Sequence, residues 1–341
     1  MIVYMRQSAF ALFASFLLVS QSQPRPAQPV AALSPFIDVH AHLEAETADV
    51  SIQAARQAMK SENAAKILFL PAPYTAGDTG RVDSDVIAAA EKKSPGAFAF
   101  LGGGGTLNAT IQEAMRTGNA GGEVQRTFRE RAEEIVRQGA VGFGEMTAEH
   151  FAGATPYQYA PADHPLFLML ADIAAQHGVV IDLHMEAVPQ AMKLPPDLKT
   201  PPNRSELHEN IAAFERLLAH NPRTSIVWAH AGSDNTGYRT PDLCRRLLRG
   251  HPNLYMQLKV DPLSPGKNYP LVATGGRIKA EWLQLFQDFP DRFVIGTDQH
   301  YLMPATGPQR WQEAVLLLNQ LPGDLRRKIG TENAVRIYRL Q

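Results

Sequence analysis

Eight short runs of apolar, β-branched and aromatic residues punctuate the chain after Ser34: FIDV from 36, KILFL from 66, AFAFL from 97, AVGFG from 140, VVIDL from 179, SIVWA from 225, LYMQL from 254 and FVIGT from 293. Their starts lie 29 to 46 residues apart. The stretches between them carry apolar residues at helical spacing, as in SIQAARQAMKSE, VIAAAEKK, FRERAEEIVRQG, LFLMLADIAAQHG, ELHENIAAFERLLAH, PDLCRRLLRG and EWLQLFQDF. A strand followed by a helix, repeated in this way, predicts parallel β-structure with helical crossovers. Eight such units close a TIM-like (β/α)8 barrel, and strands without polar alternation suit a sheet covered by helices. An open doubly wound sheet is the competing architecture, but no Gly-x-Gly-x-x-Gly opens the first helix. Longer connections at Gly102 to Glu123, Ala148 to Asp163 and Ala187 to Arg204 follow strands three, four and five, which puts them on the C-terminal face of a barrel.

Composition narrows the class. With 341 residues, 45% of them apolar and 20% charged, the chain can bury one large core. A net charge of −1 without a run of Lys and Arg argues against nucleic acid as the main partner, so a small-molecule substrate is expected. Cys244 is the only cysteine, which excludes an intramolecular disulfide and a thiolate zinc cluster; any metal must be held by His and carboxylate.

The first 32 residues differ from the rest. Arg6 precedes an apolar core from Ser8 to Leu18 and the Pro-rich QSQPRPAQPVAA, a pattern that predicts a secretory signal peptide cleaved after Ser22 or after Ala32. The core is short for a membrane span, and an uncleaved amphipathic anchor is the alternative. Residues 1–32 are thus expected to be a leader and 33–341 a single barrel domain, secreted or periplasmic, without stable membrane insertion after cleavage. Removal of the leader would leave 31 basic and 34 acidic residues.

Only the C-terminal ends of the eight runs carry a coherent polar set. His40 and His42 stand two apart on the first, where alternation puts both side chains on one face. Glu145 follows the fourth run, His184 the fifth, His230 the sixth and Asp298 the eighth. Singly, each has an ordinary role as a solvated, core or capping residue. Together they put six hard or borderline metal donors on one end of the expected barrel.

The motifs IDVHAH, GFGEM, DLHME, VWAHAG, VIGTD and IGTENAVRIY, in this order, resemble the amidohydrolase superfamily of metal-dependent hydrolases, particularly the amidohydrolase-2 and TatD-like branches, over the whole expected mature chain. The resemblance implies a TIM-like barrel and a divalent-metal centre. By position, His40, His42 and Asp298 would hold one ion, His184 and His230 a second, and Glu145 would bridge them. No Lys occupies the strand-four end, so a carbamylated bridge is not needed. Zn is the foremost candidate, and Mn, Fe or Co suit the same donors. Two ions about 3.5 to 4 Å apart can share a water, lower its pKa towards roughly 7 and polarise a carbonyl or phosphoryl oxygen. Asp298 is then the expected catalytic residue, taking the proton and delivering it to the leaving group.

Other residues are less specific. Asp38 shares the parity of His40 and either orients a histidine or satisfies buried polar groups. Gly102-Gly103-Gly104-Gly105 reads as a flexible turn rather than a phosphate loop, because no Gly-Lys-Ser/Thr follows. Lys259, Asp261, His150, His164 and His300 are candidate substrate contacts or surface and capping residues. Amide, ester, lactone and phosphoester bonds all suit the expected chemistry. Two further readings compete with hydrolysis: a mononuclear decarboxylase of the amidohydrolase-2 type, and a barrel that binds a small molecule without reacting it.

Overall fold

The computed structural model describes residues 35–43, 48–78, 81–93, 96–151, 157–198, 203–259, 270–301 and 309–341. The expected leader and Asp261 lie outside the described residues. The strands are β1 (Phe36–His42), β2 (Ala64–Leu70), β3 (Phe98–Gly103), β4 (Gly142–His150), β5 (Gln158–Tyr159), β6 (Val180–Met185), β7 (Met192–Lys193), β8 (Glu206–Leu207), β9 (Ser225–Ala231), β10 (Leu254–Leu258), β11 (Phe293–Ile295) and β12 (Gln299–His300). Eight of them, β1 to β4, β6 and β9 to β11, fall on the eight apolar runs.

Pairing runs in the order β11-β10-β9-β6-β4-β3-β2-β1-β12, parallel throughout, with β5 antiparallel on β4. The two ends of this order are joined by Gly296 to Asp298, so the eighth run closes the sheet onto the first. Asp298 N donates to His40 O at 2.7 Å, and Thr297 N donates to Asp38 Oδ1 at 2.9 Å. The architecture is the expected TIM-like barrel.

Alternation along each strand separates two apolar layers. Ile67 and Phe69 belong to the large cluster between sheet and helices, whereas Leu68 and Leu70 join Ile37, Val39, Leu101, Val180, Val227 and Val294 inside the barrel. The helices are α1 (Ala48–Glu62), α2 (Ser84–Lys92), α3 (Leu107–Thr117), α4 (Gly122–Arg137), α5 (Pro165–His177), α6 (Ile211–His220), α7 (Pro241–Gly250), α8 (Ala280–Asp288), α9 (Gln309–Asn319), α10 (Gly323–Arg327) and α11 (Asn333–Tyr338). Local signals set their ends: Thr240 accepts from Leu243 N ahead of Pro241 at the start of α7, and Gly178 ends α5 in a left-handed conformation. Ala334, Ile337 and Tyr338 of α11 share the interior cluster.

The long connections are more structured than expected. Gly102 to Glu123 contains α3, with Leu107, Ile111 and Ala114 buried. The segment after β4 folds back as β5, and the Pro-rich stretch after β6 holds the hairpin of β7 and β8. The glycine run is half strand and half turn, with Gly104 and Gly105 in the turn that leads into α3. Gly102 and Gly103 end β3, and a Cβ on Gly104 would lie 2.5 Å from Pro71 O and 2.7 Å from Ala72 O. Only a residue without a side chain lets the two loops approach so closely.

Candidate metal centre

All six metal donors expected from the sequence meet at the C-terminal end of the barrel, and all are buried. Glu145 lies at their middle. Its Oε1 is 2.7 Å from His184 Nδ1 and 3.1 Å from His230 Nε2. Its Oε2 lies 3.7 Å from His40 Nε2 and 3.6 Å from His42 Nε2. Asp298 Oδ1 is 2.9 Å from His42 Nε2 and 3.7 Å from His40 Nε2. Among the described residues, two triads have donor atoms close enough to hold an ion: His40, His42 and Asp298, and His40, Glu145 and His230. His184 joins them through Glu145.

The hydrogen bonds behind the histidines decide which nitrogen faces the centre. His42 Nδ1 lies 3.1 Å from Leu70 O, and a carbonyl only accepts, so Nδ1 carries a proton and Nε2 is the nitrogen that faces Asp298. His40 Nδ1 lies 3.4 Å from Asp182 Oδ2, which leaves the buried His40 Nε2 without a hydrogen-bond partner between two carboxylates. Burial lowers His40, but Asp182 and Glu145 raise it well above its ordinary value, so this place between carboxylates calls for positive charge, supplied by a proton on the ring or by a metal ion. With this orphaned nitrogen and an all-His and carboxylate donor set, the residues fit a divalent ion of the Zn, Mn, Fe or Co kind.

The electrostatics favour positive charge at the same place. Burial pushes Glu145 up, but hydrogen bonds with His184 and His230 and the nearby His40 ring hold it well below the usual carboxylate range. Burial likewise raises Asp298, yet the Lys259 ammonium, His42 and the charges of His230 and Arg310 hold it well down. Burial lowers His184, but Glu145 and Glu186 raise it to about 9. His230 is pushed well below its ordinary value by burial and by Lys259.

The remaining candidates separate. Lys259 Nζ pairs with Asp298 Oδ2. The His300 ring stacks on His42 at 4.1 Å, and the His150 ring lies 4.6 Å from His184. His164 is a cap whose Nδ1 accepts from Leu166 N at 3.3 Å. Asp38 does not touch a histidine ring: its oxygens accept from His40 N, Thr297 N and Thr297 Oγ1, so it ties the eighth strand to the first. The residue that orients His40 is Asp182, and Glu186 Oε1 stands 3.7 Å from His184 Nε2. Arg310 Nη1, at the start of α9, is 2.8 Å from Asp298 Oδ2. Asp182 could have been found as a charged residue inside an apolar run; Arg310 carries no spacing signal.

Comparison with solved structures supports the fold. A dihydroxybenzoic acid decarboxylase from Polaromonas sp. JS666, with bound manganese and 2-nitroresorcinol, is 14% identical with a TM-score of 0.54, covering 90% of this chain and 98% of its own. A structure described as a probable 2-pyrone-4,6-dicarboxylic acid hydrolase from Acinetobacter baumannii, with citric acid bound, is 12% identical with a TM-score of 0.53, covering 89% of this chain and 98% of its own. A TatD homologue from Escherichia coli K12 is 12% identical with a TM-score of 0.50, covering 90% and 98%. No curated protein sequence matches. The amidohydrolase family model matches residues 37–340, from the strand that carries the histidine pair to the helix that floors the barrel, and the chain belongs to that family.

Proposed function

We propose that the chain is a hydrolase that cleaves an amide, ester, lactone or phosphoester bond of a small molecule at a two-ion centre. The orientation of Glu145 carries this reading. One of its oxygens addresses His184 and His230 while the other addresses His40 and His42. A carboxylate shared between two histidine pairs suits two ions, whereas a single ion has no need of it. His40, His42 and Asp298 would hold one ion, His184 and His230 the other, and Glu145 both. Bound there, such a pair acidifies water towards a pKa of about 7 and polarises the bond under attack.

The protein's own groups do the rest. Asp298 turns Oδ1 toward His42 and Oδ2 toward Lys259 and Arg310. Asp298 takes the proton released on attack. The two neighbouring cations make the resulting carboxyl a strong acid, so it passes the proton on to the leaving group. The His150 and His300 rings wall the centre beside His184 and His42. Cleavage of the leader would put this activity in the periplasm or outside the cell.

Metal analysis of the purified chain, followed by a panel of the four bond types, tests the reading. Two ions per chain and hydrolysis of one bond class are expected, with Asp298→Asn lowering kcat by roughly 10²- to 10⁴-fold while part of the metal is retained. One ion per chain together with CO2 release from an aryl carboxylate would overturn it in favour of decarboxylation.

A further inference from the structure

We infer that Gln257, a neutral residue on a strand that supplies no candidate ligand, positions metal ligands on both of its neighbours. The inference rests on the two-ion reading. Gln257 lies on β10, between β9, which carries His230, and β11, which leads to Asp298. Its side chain is fully buried. Oε1 accepts from His230 N at 2.6 Å. Nε2 donates to Gly296 O at 2.8 Å and to Leu258 O at 2.8 Å. One amide therefore grips the backbone of a ligand on one side and the backbone two residues before a ligand on the other.

Both of those ligands need the grip. His230 and Asp298 have positive φ, 65° and 53°, a region that side-chain-bearing residues enter at a cost and that persists only where the surroundings hold it. In each case the conformation turns the chain at the strand end so that the side chain points to the centre. His230 N leaves the regular ladder there, and Gln257 Oε1 accepts its proton. On the other side, a Cβ at Gly296 would meet Gln257 Nε2 at 2.6 Å and His40 Cβ at 2.7 Å, so a glycine at that point lets the bracket close. An amide suits the place because it offers an acceptor and two donors on one rigid plane; a carboxylate lacks the donors and an aliphatic side chain lacks both. Both polar atoms of the Gln257 side chain are committed to backbone, which makes it a positioning residue. Because it holds one member of each proposed ligand set, its loss should weaken both ions together.

The test is calorimetric titration of Zn2+ into the chelator-stripped full chain, wild type against Gln257→Met, with metal-free Tm measured in parallel. The control is Asn253→Leu, which removes another buried amide, one that donates to Leu218 O and Thr224 O and contacts no candidate ligand. Gln257→Met is expected to weaken both ions by about 10- to 100-fold, the effect of losing a partner behind a metal ligand. Asn253→Leu should lower Tm and leave both affinities within about twofold of wild type. Gln257→Asn, which keeps the amide on a shorter stem, should restore part of the affinity, and it serves in place of Met if that variant fails to fold. Affinities of Gln257→Met within about twofold of wild type, or a loss matched by Asn253→Leu, would overturn the positioning role. A wild type that binds a single ion overturns the two-ion reading, and Gln257 is then judged by the same loss at that ion.

Discussion

Glu145 and Glu149 stand four residues apart on β4, both removed from water, yet their carboxyls are driven in opposite directions. Glu145, surrounded by His40, His42, His184 and His230, stays ionised far below the usual range. Glu149 accepts from Tyr157 OH at 3.1 Å and from Asn210 Nδ2 at 2.9 Å, and burial, aided by the charge of Glu186, still pushes it up to about 7. Both are desolvated and both are hydrogen-bonded. They differ in whether the donors can carry charge: imidazoles can become cations, whereas a phenol and an amide lend only dipoles. Along this strand, the carboxylate set among potential cations is the one that can serve a metal.

Breaking the first half of that contrast should have the largest effect. Glu145→Gln keeps the shape and removes the charge, so the second ion should be lost or weakened by more than about 100-fold, beyond the cost of an outer partner. Metal stoichiometry of the variant checks this, and two ions still bound at full occupancy would end the sharing role. The second half is read in stability. The folded-state value of Glu149, about 7, lies above its ordinary 4.5, so between those limits the folded chain holds more protons than the unfolded one. The contribution is full below the lower value and is lost as pH rises through the upper one. At 1.36 kcal/mol per unit, ionised Glu149 costs about 3 kcal/mol. Glu149→Gln should therefore gain about 3 kcal/mol over wild type near pH 8, and almost nothing near pH 4, in urea unfolding of metal-stripped protein. Equal stabilities at both pH values would remove the contrast. Tyr157→Phe, which deletes one dipole, should cost about 1 kcal/mol and move the midpoint of that pH dependence upward. An unmoved midpoint would mean that the phenol contributes nothing to the Glu149 environment.

The elements that sequence reveals here are those whose signal is local. Barrel strands covered by helices are continuous apolar runs, so β1, β2 and β9 stand out without a partner in view. His40 and His42 declare a shared face by their spacing alone. What stayed hidden depends on residues far away in the chain. Parity suggested that Asp38 could orient a histidine, but the ring of His40 is served by Asp182, 142 residues on, and Asp38 serves Thr297 instead. The segment after β3 read as a longer connection, although Gly102 and Gly103 still belong to the strand and α3 fills its middle. Gln257 read as one polar residue in LYMQL. A lone amide in a strand buried on both faces has to find partners, and that requirement was the available clue.

Closure of the sheet by β12 against β1 has a consequence for the order in which the centre can be made. His42 and Asp298 are 256 residues apart, and Ala41 pairs with Gln299. During synthesis the histidine pair emerges first and waits for its carboxylate until nearly the whole chain has been translated. A growing chain therefore holds an open, curved sheet with an incomplete donor set, and the long-range pairing that completes it comes late and slowly. Only the group of His40, His42 and Asp298 has to wait for a finished polypeptide, and a chain truncated before the eighth run would lack both its barrel seam and one wall of its centre.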